Sequence, residues 1–291
     1  MIVLKFGGSS VASATEVEQV LAVLAQQKKP MAVVVSALGG ITDELHALGK
    51  LAADGDASYA DRLKQVEERH VMMVQALIPV SKRSAILSAT KQTINKLETI
   101  LEGTFMIREL SPKTRDTLLS FGEILSHNII AEAAKAKGID AIAKNAQELI
   151  VTFQSLGRTL VDYKKTNANL NVFFKNNKHQ VVILPGFVSK NAEGIVTTLG
   201  RGGSDLTASI TACALEAEFL EIWTDVSGMF TANPALVKQA KSIPELSYQE
   251  AMELSHFGAK VIYPPTLQPI IEKTFRFISK IRLSPVLQVH L

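Results

Sequence analysis

Ile2-Val3-Leu4-Lys5-Phe6-Gly7-Gly8-Ser9-Ser10 and Met31-Ala32-Val33-Val34-Val35-Ser36 are the two stretches that decide the fold class. Both are short apolar runs without polar alternation. That pattern fits strands buried on both faces, the habit of parallel sheets. Each run ends in a glycine turn, Gly7-Gly8 after the first and Gly39-Gly40 after the second. Between them Val17, Val20, Leu21 and Leu24 share one helical face. From Thr42 to about residue 137 the pattern is mostly helical, interrupted at Gly103 and at Ser111-Pro112. The second interruption reads as an N-cap followed by proline in a first turn. Strand-like runs return at 138–143, 149–153, 180–184, 187–190 and 195–198, with Asn191-Ala192-Glu193-Gly194 as a hairpin turn. A helix over 204–216 and a strand over 218–224 follow. This alternation predicts an α/β fold, a mainly parallel sheet covered by helices on both faces.

The bulk numbers set bounds on function. The chain has 291 residues, 47% hydrophobic and 20% charged, with a net charge of +3. So mild an excess gives no reason to invoke nucleic acid or a membrane surface, while small anionic substrates remain open. There is no run of about 18 apolar residues to span a membrane. The first apolar run is too short for a signal peptide, so the expected compartment is the cytoplasm. The single cysteine, Cys213, lies between Ala212 and Ala214 in an apolar helical pattern and reads as a buried thiol. The six histidines show no metal-ligand spacing, and His127 and His256 read as structural.

Three glycine turns carry the chemistry. In Gly7-Gly8-Ser9-Ser10 the glycines let backbone N–H groups approach a phosphate, with Lys5 two residues upstream. The spacing is not that of a Walker A loop, and a plain turn with a solvated lysine is the alternative. Ser36-Ala37-Leu38-Gly39-Gly40-Ile41-Thr42 joins glycines to two hydroxyls, and Thr42 reads as a helix N-cap or a ligand group. Leu199-Gly200-Arg201-Gly202-Gly203-Ser204-Asp205 says most. Arg201 can hold a carboxylate in a bidentate fork. Asp205 suits a first helical turn by itself, but three glycines cost entropy that a plain connection need not incur. In a parallel sheet such loops converge on one edge, which predicts an anion-binding cleft.

These motifs resemble those of the aspartokinases. Lys5 to Ala12, Ser36 to Thr42, Phe121-Gly122-Glu123, Gly186-Phe187, Leu199 to Asp205, Trp223-Thr224-Asp225-Val226 and Phe257-Gly258-Ala259-Lys260-Val261 occur in that family's order and approximate spacing. The resemblance covers about residues 1–273. Ser247 to Leu254 is similar to the bifunctional aspartokinase–homoserine dehydrogenases. The resemblance implies the amino acid kinase fold, a three-layer αβα sandwich. It also implies phosphorylation of L-aspartate by ATP with Mg²⁺ carried on the phosphates, and a homodimer. On the family's pattern, Lys5 and Asp205 are catalytic. Ser36, Thr42, Glu123, Phe187, Arg201 and Ser204 hold aspartate, Arg201 on its α-carboxylate and Glu123 on its ammonium. Lys5, Gly7, Gly8, Ser9, Thr224, Asp225, Phe230, Lys260 and Val261 line the nucleotide site. The competing expectations are another amino acid kinase, acting on acetylglutamate, glutamate, carbamate or uridylate, and a weakly active or inactive nucleotide-binding fragment.

Two stretches depart from the pattern. Thr231-Ala232-Asn233-Pro234-Ala235 stands where many family members carry Thr-Asp-Pro-Arg, so one cation is missing near the expected nucleotide, with Lys238 and Lys241 as possible substitutes. Residues 274–291 match nothing expected of the family. With codons chosen for the purpose, restoring one adenine near Lys273 yields a reading close to the family's continuation. The expectation is a frame-shifted tail, with the ACT regulatory and homoserine dehydrogenase domains absent.

Overall fold

The structure, a computed structural model, describes residues 1–224, 229–233, 236–243, 246–257, 263–266, 268–271, 276–281 and 288–290. Its strands are β1 (Ile2–Phe6), β2 (Met31–Val35), β3 (Ala141–Ala143), β4 (Val151–Ser155), β5 (Arg158–Val161) and β6 (Val181–Pro185), then β7 (Val188–Asn191), β8 (Val196–Thr198), β9 (Phe219–Thr224), β10 (Arg276–Ile281) and β11 (Gln288–His290). The helices are α1 (Ala14–Gln26), α2 (Ile41–Asp54), α3 (Tyr59–Leu77), α4 (Arg83–Ile107), α5 (Pro112–Ala136), α6 (Tyr163–Asn176), α7 (Gly203–Ala214), α8 (Tyr248–His256) and α9 (Gln268–Ile271).

The main sheet runs β11-β10-β9-β1-β2-β6-β3, and only β11 pairs antiparallel among its described ladders. Every residue of β1, β2 and β6 is buried, as their unbroken apolar runs require. Because strand side chains alternate, those runs feed two cores. Ile2, Leu4, Phe6, Val33, Val35 and Ile183 pack under α1 to α5. Val3, Ala32, Val34, Val182 and Leu184 pack under α6 and α7. Each fully buried Leu, Ile or Val contributes about 1.5–3 kcal/mol, so the two apolar layers hold the sheet between them. The observed architecture is therefore the expected αβα sandwich. Among the described residues no helix is long and apolar enough to cross a membrane.

A second sheet, β5-β4-β7-β8, was not foreseen as a separate unit. β5 is reached from β4 by the two-residue turn Leu156-Gly157, both at positive φ (48° and 74°). Such a turn normally shows an Asn-Gly or Asp-Gly signature, and leucine conceals it. The Asn191 turn is as expected: its Oδ1 accepts from the N–H groups of Glu193 and Ile195. Ser111 caps α5, accepting from Thr114 N–H at 3.1 Å, with Pro112 in the first turn. Two expectations fail. Gly103 lies inside α4 and interrupts nothing; that helix ends at Ile107, capped by Arg108 in the left-handed region (φ 57°). Thr42 is not a cap, because α2 starts at Ile41 behind a left-handed Gly40 (φ 81°), which leaves Thr42 in the first turn.

Candidate active site

Lys5 is the one charged residue of β1, and strand alternation turns it toward the α7 side. A lone buried ammonium is costly, so it needs a partner. α7 supplies it. Asp205, in the first turn of that helix, sits with Oδ1 2.6 Å from Lys5 Nζ, both side chains largely buried (10% and 18% exposed). The contact is a close charge pair rather than an aligned hydrogen bond. Two positions some 200 residues apart in sequence are thus joined by strand register and helix phase.

The glycine turns close around this pair. The first and second touch directly: a Cβ on Gly8 would lie 3.3 Å from Ala37 O, and one on Gly39 would lie 3.2 Å from Gly8 O and 3.0 Å from Ala12 Cβ. The third turn is not at the carboxyl edge of the main sheet. It follows β8 of the second sheet and reaches the cleft by feeding α7. It is locked to Gly186-Phe187. A Cβ on Gly203 would lie 2.7 Å from the Phe187 ring. Phe187 itself has a left-handed backbone (φ 67°), which is strained for an aromatic residue. Its N–H donates to Thr207 Oγ1 at 3.0 Å and its carbonyl accepts from Leu199 N–H at 2.9 Å.

Glu123 enters from the opposite wall, on α5. It is 3% exposed, and its Oε2 has no hydrogen-bond partner among the described residues. Burial pushes its carboxyl up to about 8, while the Ala37 amide, its own amide and Lys5 pull the other way. Ser126, one turn on, donates to Ser36 O at 2.7 Å and ties α5 to the second turn. His127 is buried, with Nδ1 3.1 Å from Glu123 O, and burial holds its pKa down at about 4.

One cleft of about 700 Å³ is lined by Lys5, Gly8, Ser36, Thr42, Glu123 and Phe187, together with Arg201, Ser204 and Asp205. Gly7 backs the Lys5 ammonium, and Ser9 lies in the 3-10 turn Gly8–Val11. Thr224 ends β9 beside Ile281, and Phe230 bridges to Ser242; neither lines the cleft. Asp225, Lys260, Val261 and Ala235 lie outside the described residues. Cys213 is buried, as expected. Sequence reasoning missed Asp43, His46, Arg115 and Asp116, all of which line the cleft. Helical spacing held the signal: His46 is four residues after Thr42, and Asp116 is seven before Glu123.

A cradle of glycine amides beside a lysine–aspartate pair, facing an arginine and a buried glutamate, is suited to a phosphate on one side and a zwitterion on the other. Residues 1–278 match the model of the amino acid kinase family. The chain belongs to that family. Among amino acid kinase relatives it is 36% identical over 278 residues to aspartokinase 1, chloroplastic, of Arabidopsis thaliana, covering 93% of this chain and 48% of that one. It is 31% identical to the bifunctional aspartokinase/homoserine dehydrogenase 1, chloroplastic, of the same plant, covering 92% and 30%. The solved E. coli aspartokinase III in complex with aspartate and ADP superposes with a TM-score of 0.88 at 29% identity, covering 98% of this chain and 63% of that one. The chain thus spans less than two thirds of each of these proteins. Isopentenyl phosphate kinase, at 14% identity and a TM-score of 0.54, shares the fold alone. Fold by itself therefore does not choose the acceptor.

Proposed function

We propose that this amino acid kinase transfers the γ-phosphoryl group of ATP to the side-chain carboxylate of L-aspartate. The product would be 4-phospho-L-aspartate, at the head of lysine, threonine and methionine biosynthesis. One observation carries the reading: the Lys5–Asp205 pair, Arg201 and the buried Glu123 face a single cleft. The similarity to aspartokinases supports the choice of acceptor.

The acceptor carboxylate is ionised near neutral pH, so no general base is needed. Catalysis reduces to positioning and charge stabilisation. An aspartate oxygen attacks the γ-phosphorus, the bond to the bridging oxygen breaks, and ADP leaves with that electron pair. The Lys5 ammonium stands where charge grows on the bridging oxygen. Gly7, Gly8 and Ser9 form the turn that would receive the phosphates, with the Gly7 N–H itself donated to Trp223 O at 3.2 Å. Arg201 takes the α-carboxylate and Glu123 the ammonium, while Ser36, Thr42, Phe187 and Ser204 shape the space between. Thr224, Asp225, Phe230, Lys260 and Val261 are assigned to the nucleotide. Among the described residues no three His, Cys, Asp or Glu side chains are grouped as a metal cage. Asp205 offers a hard oxygen ligand beside the Lys5 ammonium. Mg²⁺ carried on the phosphates would neutralise part of their charge.

The test is incubation with Mg-ATP and each candidate acceptor, trapping the acyl phosphate with hydroxylamine. Hydroxamate with aspartate alone is expected. Product with glutamate or acetylglutamate instead would assign another acceptor, and no product with any acceptor would leave a nucleotide-binding fragment.

A further inference from the structure

Asp116 lies on α5, two turns before Glu123, and lines the same cleft. Its Oδ2 accepts a hydrogen bond from Thr198 N–H at 3.2 Å, and its Oδ1 is 3.5 Å from Arg115 Nη2. Thr198 ends β8, an edge strand of the second sheet, and is itself buried. An edge strand leaves N–H groups without a ladder partner, and a buried one must be satisfied elsewhere. Here a carboxylate on the neighbouring helix satisfies it. The acceptor is charged and only 16% exposed, so the bond is of the stronger, charge-assisted kind.

The bond sits where the third glycine turn begins. Thr198 is three residues before Arg201, and the next residue, Leu199, donates its N–H to Phe187 O. The base of the turn is thus held from two sides, by Phe187 and by Asp116. The second hold is on the helix that carries Glu123, about 10 Å further along its axis. Glu123 and the start of the Arg201 turn are fixed to one rod.

We propose that Asp116 is a positioning residue of the acceptor site: by holding Thr198 N–H it sets where Arg201 stands relative to Glu123. This rests on the aspartate kinase reading above. In the full chain, Asp116→Ala is expected to raise the KM for aspartate about tenfold, equivalent to about 1.4 kcal/mol, with the KM for ATP within about twofold. Asp116→Asn keeps an oxygen acceptor and is expected to stay within about threefold of the parent. Hydrogen–deuterium exchange over residues 196–203 reads the link without any substrate. Exchange should quicken in Asp116→Ala and stay parent-like in Asp116→Asn. An unchanged aspartate KM in Asp116→Ala, an equal rise in both KM values, or Asp116→Asn as poor as Asp116→Ala would each overturn the proposal. A parent inactive on aspartate would defeat the functional reading instead. The exchange experiment would then decide alone, with unchanged exchange in Asp116→Ala refuting the link.

Discussion

The α7 wall and the α5 wall of the cleft each present a carboxylate, and the protein treats the two in opposite ways. Asp205 has its counter-ion in place, 2.6 Å away on β1. Glu123 is more deeply buried, keeps an oxygen without a partner among the described residues, and has its pKa pushed up to about 8. The α7 wall is electrostatically complete before any ligand arrives, so an incoming phosphate meets a fixed cation already desolvated and aimed. The α5 wall is incomplete. Its carboxyl favours the neutral form until a ligand cation makes the ionised form the better one. On the proposed function, one wall serves charge that develops during reaction and the other serves charge that the acceptor brings.

Removing the finished wall should have the largest effect. Lys5→Met is expected to lower kcat by about 10²–10³-fold, the usual cost of one preorganised electrostatic group. The aspartate KM should change far less, because on the proposed function Lys5 serves the transferring phosphate. Hydroxamate kinetics check both constants. A fall confined to the aspartate KM would place Lys5 on the acceptor side and erase the contrast.

The unfinished wall should be sensitive to pH. Below about 8 the free protein holds Glu123 protonated, and binding an ammonium then requires the proton to leave. The KM for aspartate should fall by up to about tenfold per unit as pH rises toward that value, then level off. Glu123→Gln should raise the KM and flatten the slope. A parent profile without slope between pH 6 and 8 would mean that Glu123 does not meet the ammonium.

How much of this contrast was legible beforehand follows from what each wall is made of. β1 and its glycine turn were plain, because a strand buried on both faces writes itself as an unbroken apolar run. Lys5 and Asp205 were each visible in their turns. Their pairing was not, since it depends on how α7 lies against β1. The third turn was assigned to the edge of the main sheet, yet it hangs from β8, whose membership in a separate sheet no local pattern declares. Leu156 hid the turn into β5, and Asp116 was passed over although it shares a helical face with Glu123. Local chemistry was readable; the joints between distant segments were not.

A smaller effect should come from Gly122, which precedes Glu123 and lets α5 approach α2. A Cβ there would lie 2.9 Å from Ala37 Cβ and 3.3 Å from Ile41 Cγ2. Gly122→Ala is expected to cost about 1–3 kcal/mol as an overpacked contact. Because the contact lies beside Glu123, the aspartate KM should rise while the ATP KM holds. Denaturant unfolding and steady-state kinetics give the two numbers. A stability loss with no change in the aspartate KM would show that the α5 wall tolerates displacement.

The smallest effect concerns the free protein, where the unfinished wall should carry a stability cost that depends on pH. The folded pKa of Glu123, about 8, is above its ordinary value of 4.5, so its contribution is fully present below 4.5 and is lost as pH rises toward 8. His70 and His127 are buried and held down at about 4 from 6.5, so their contributions are present above 6.5 and are lost as pH falls toward 4. Between 4.5 and 6.5 two histidines oppose one glutamate and stability climbs with pH. Above 6.5 the glutamate acts alone and stability declines. For these three groups the maximum falls near pH 6.5. Glu123→Gln should abolish the alkaline decline and steepen the acid limb, where the two histidines then act unopposed, a difference of a few degrees in Tm, since about 1 kcal/mol moves a chain of this size by roughly 2–4 °C. Saturating aspartate should do the same to the parent, because an ammonium beside Glu123 removes the reason for its raised pKa. Calorimetric scans from pH 5 to 8.5 compare the two proteins directly. An alkaline limb identical in parent and Glu123→Gln would mean that the buried carboxyl is not what makes the α5 wall incomplete.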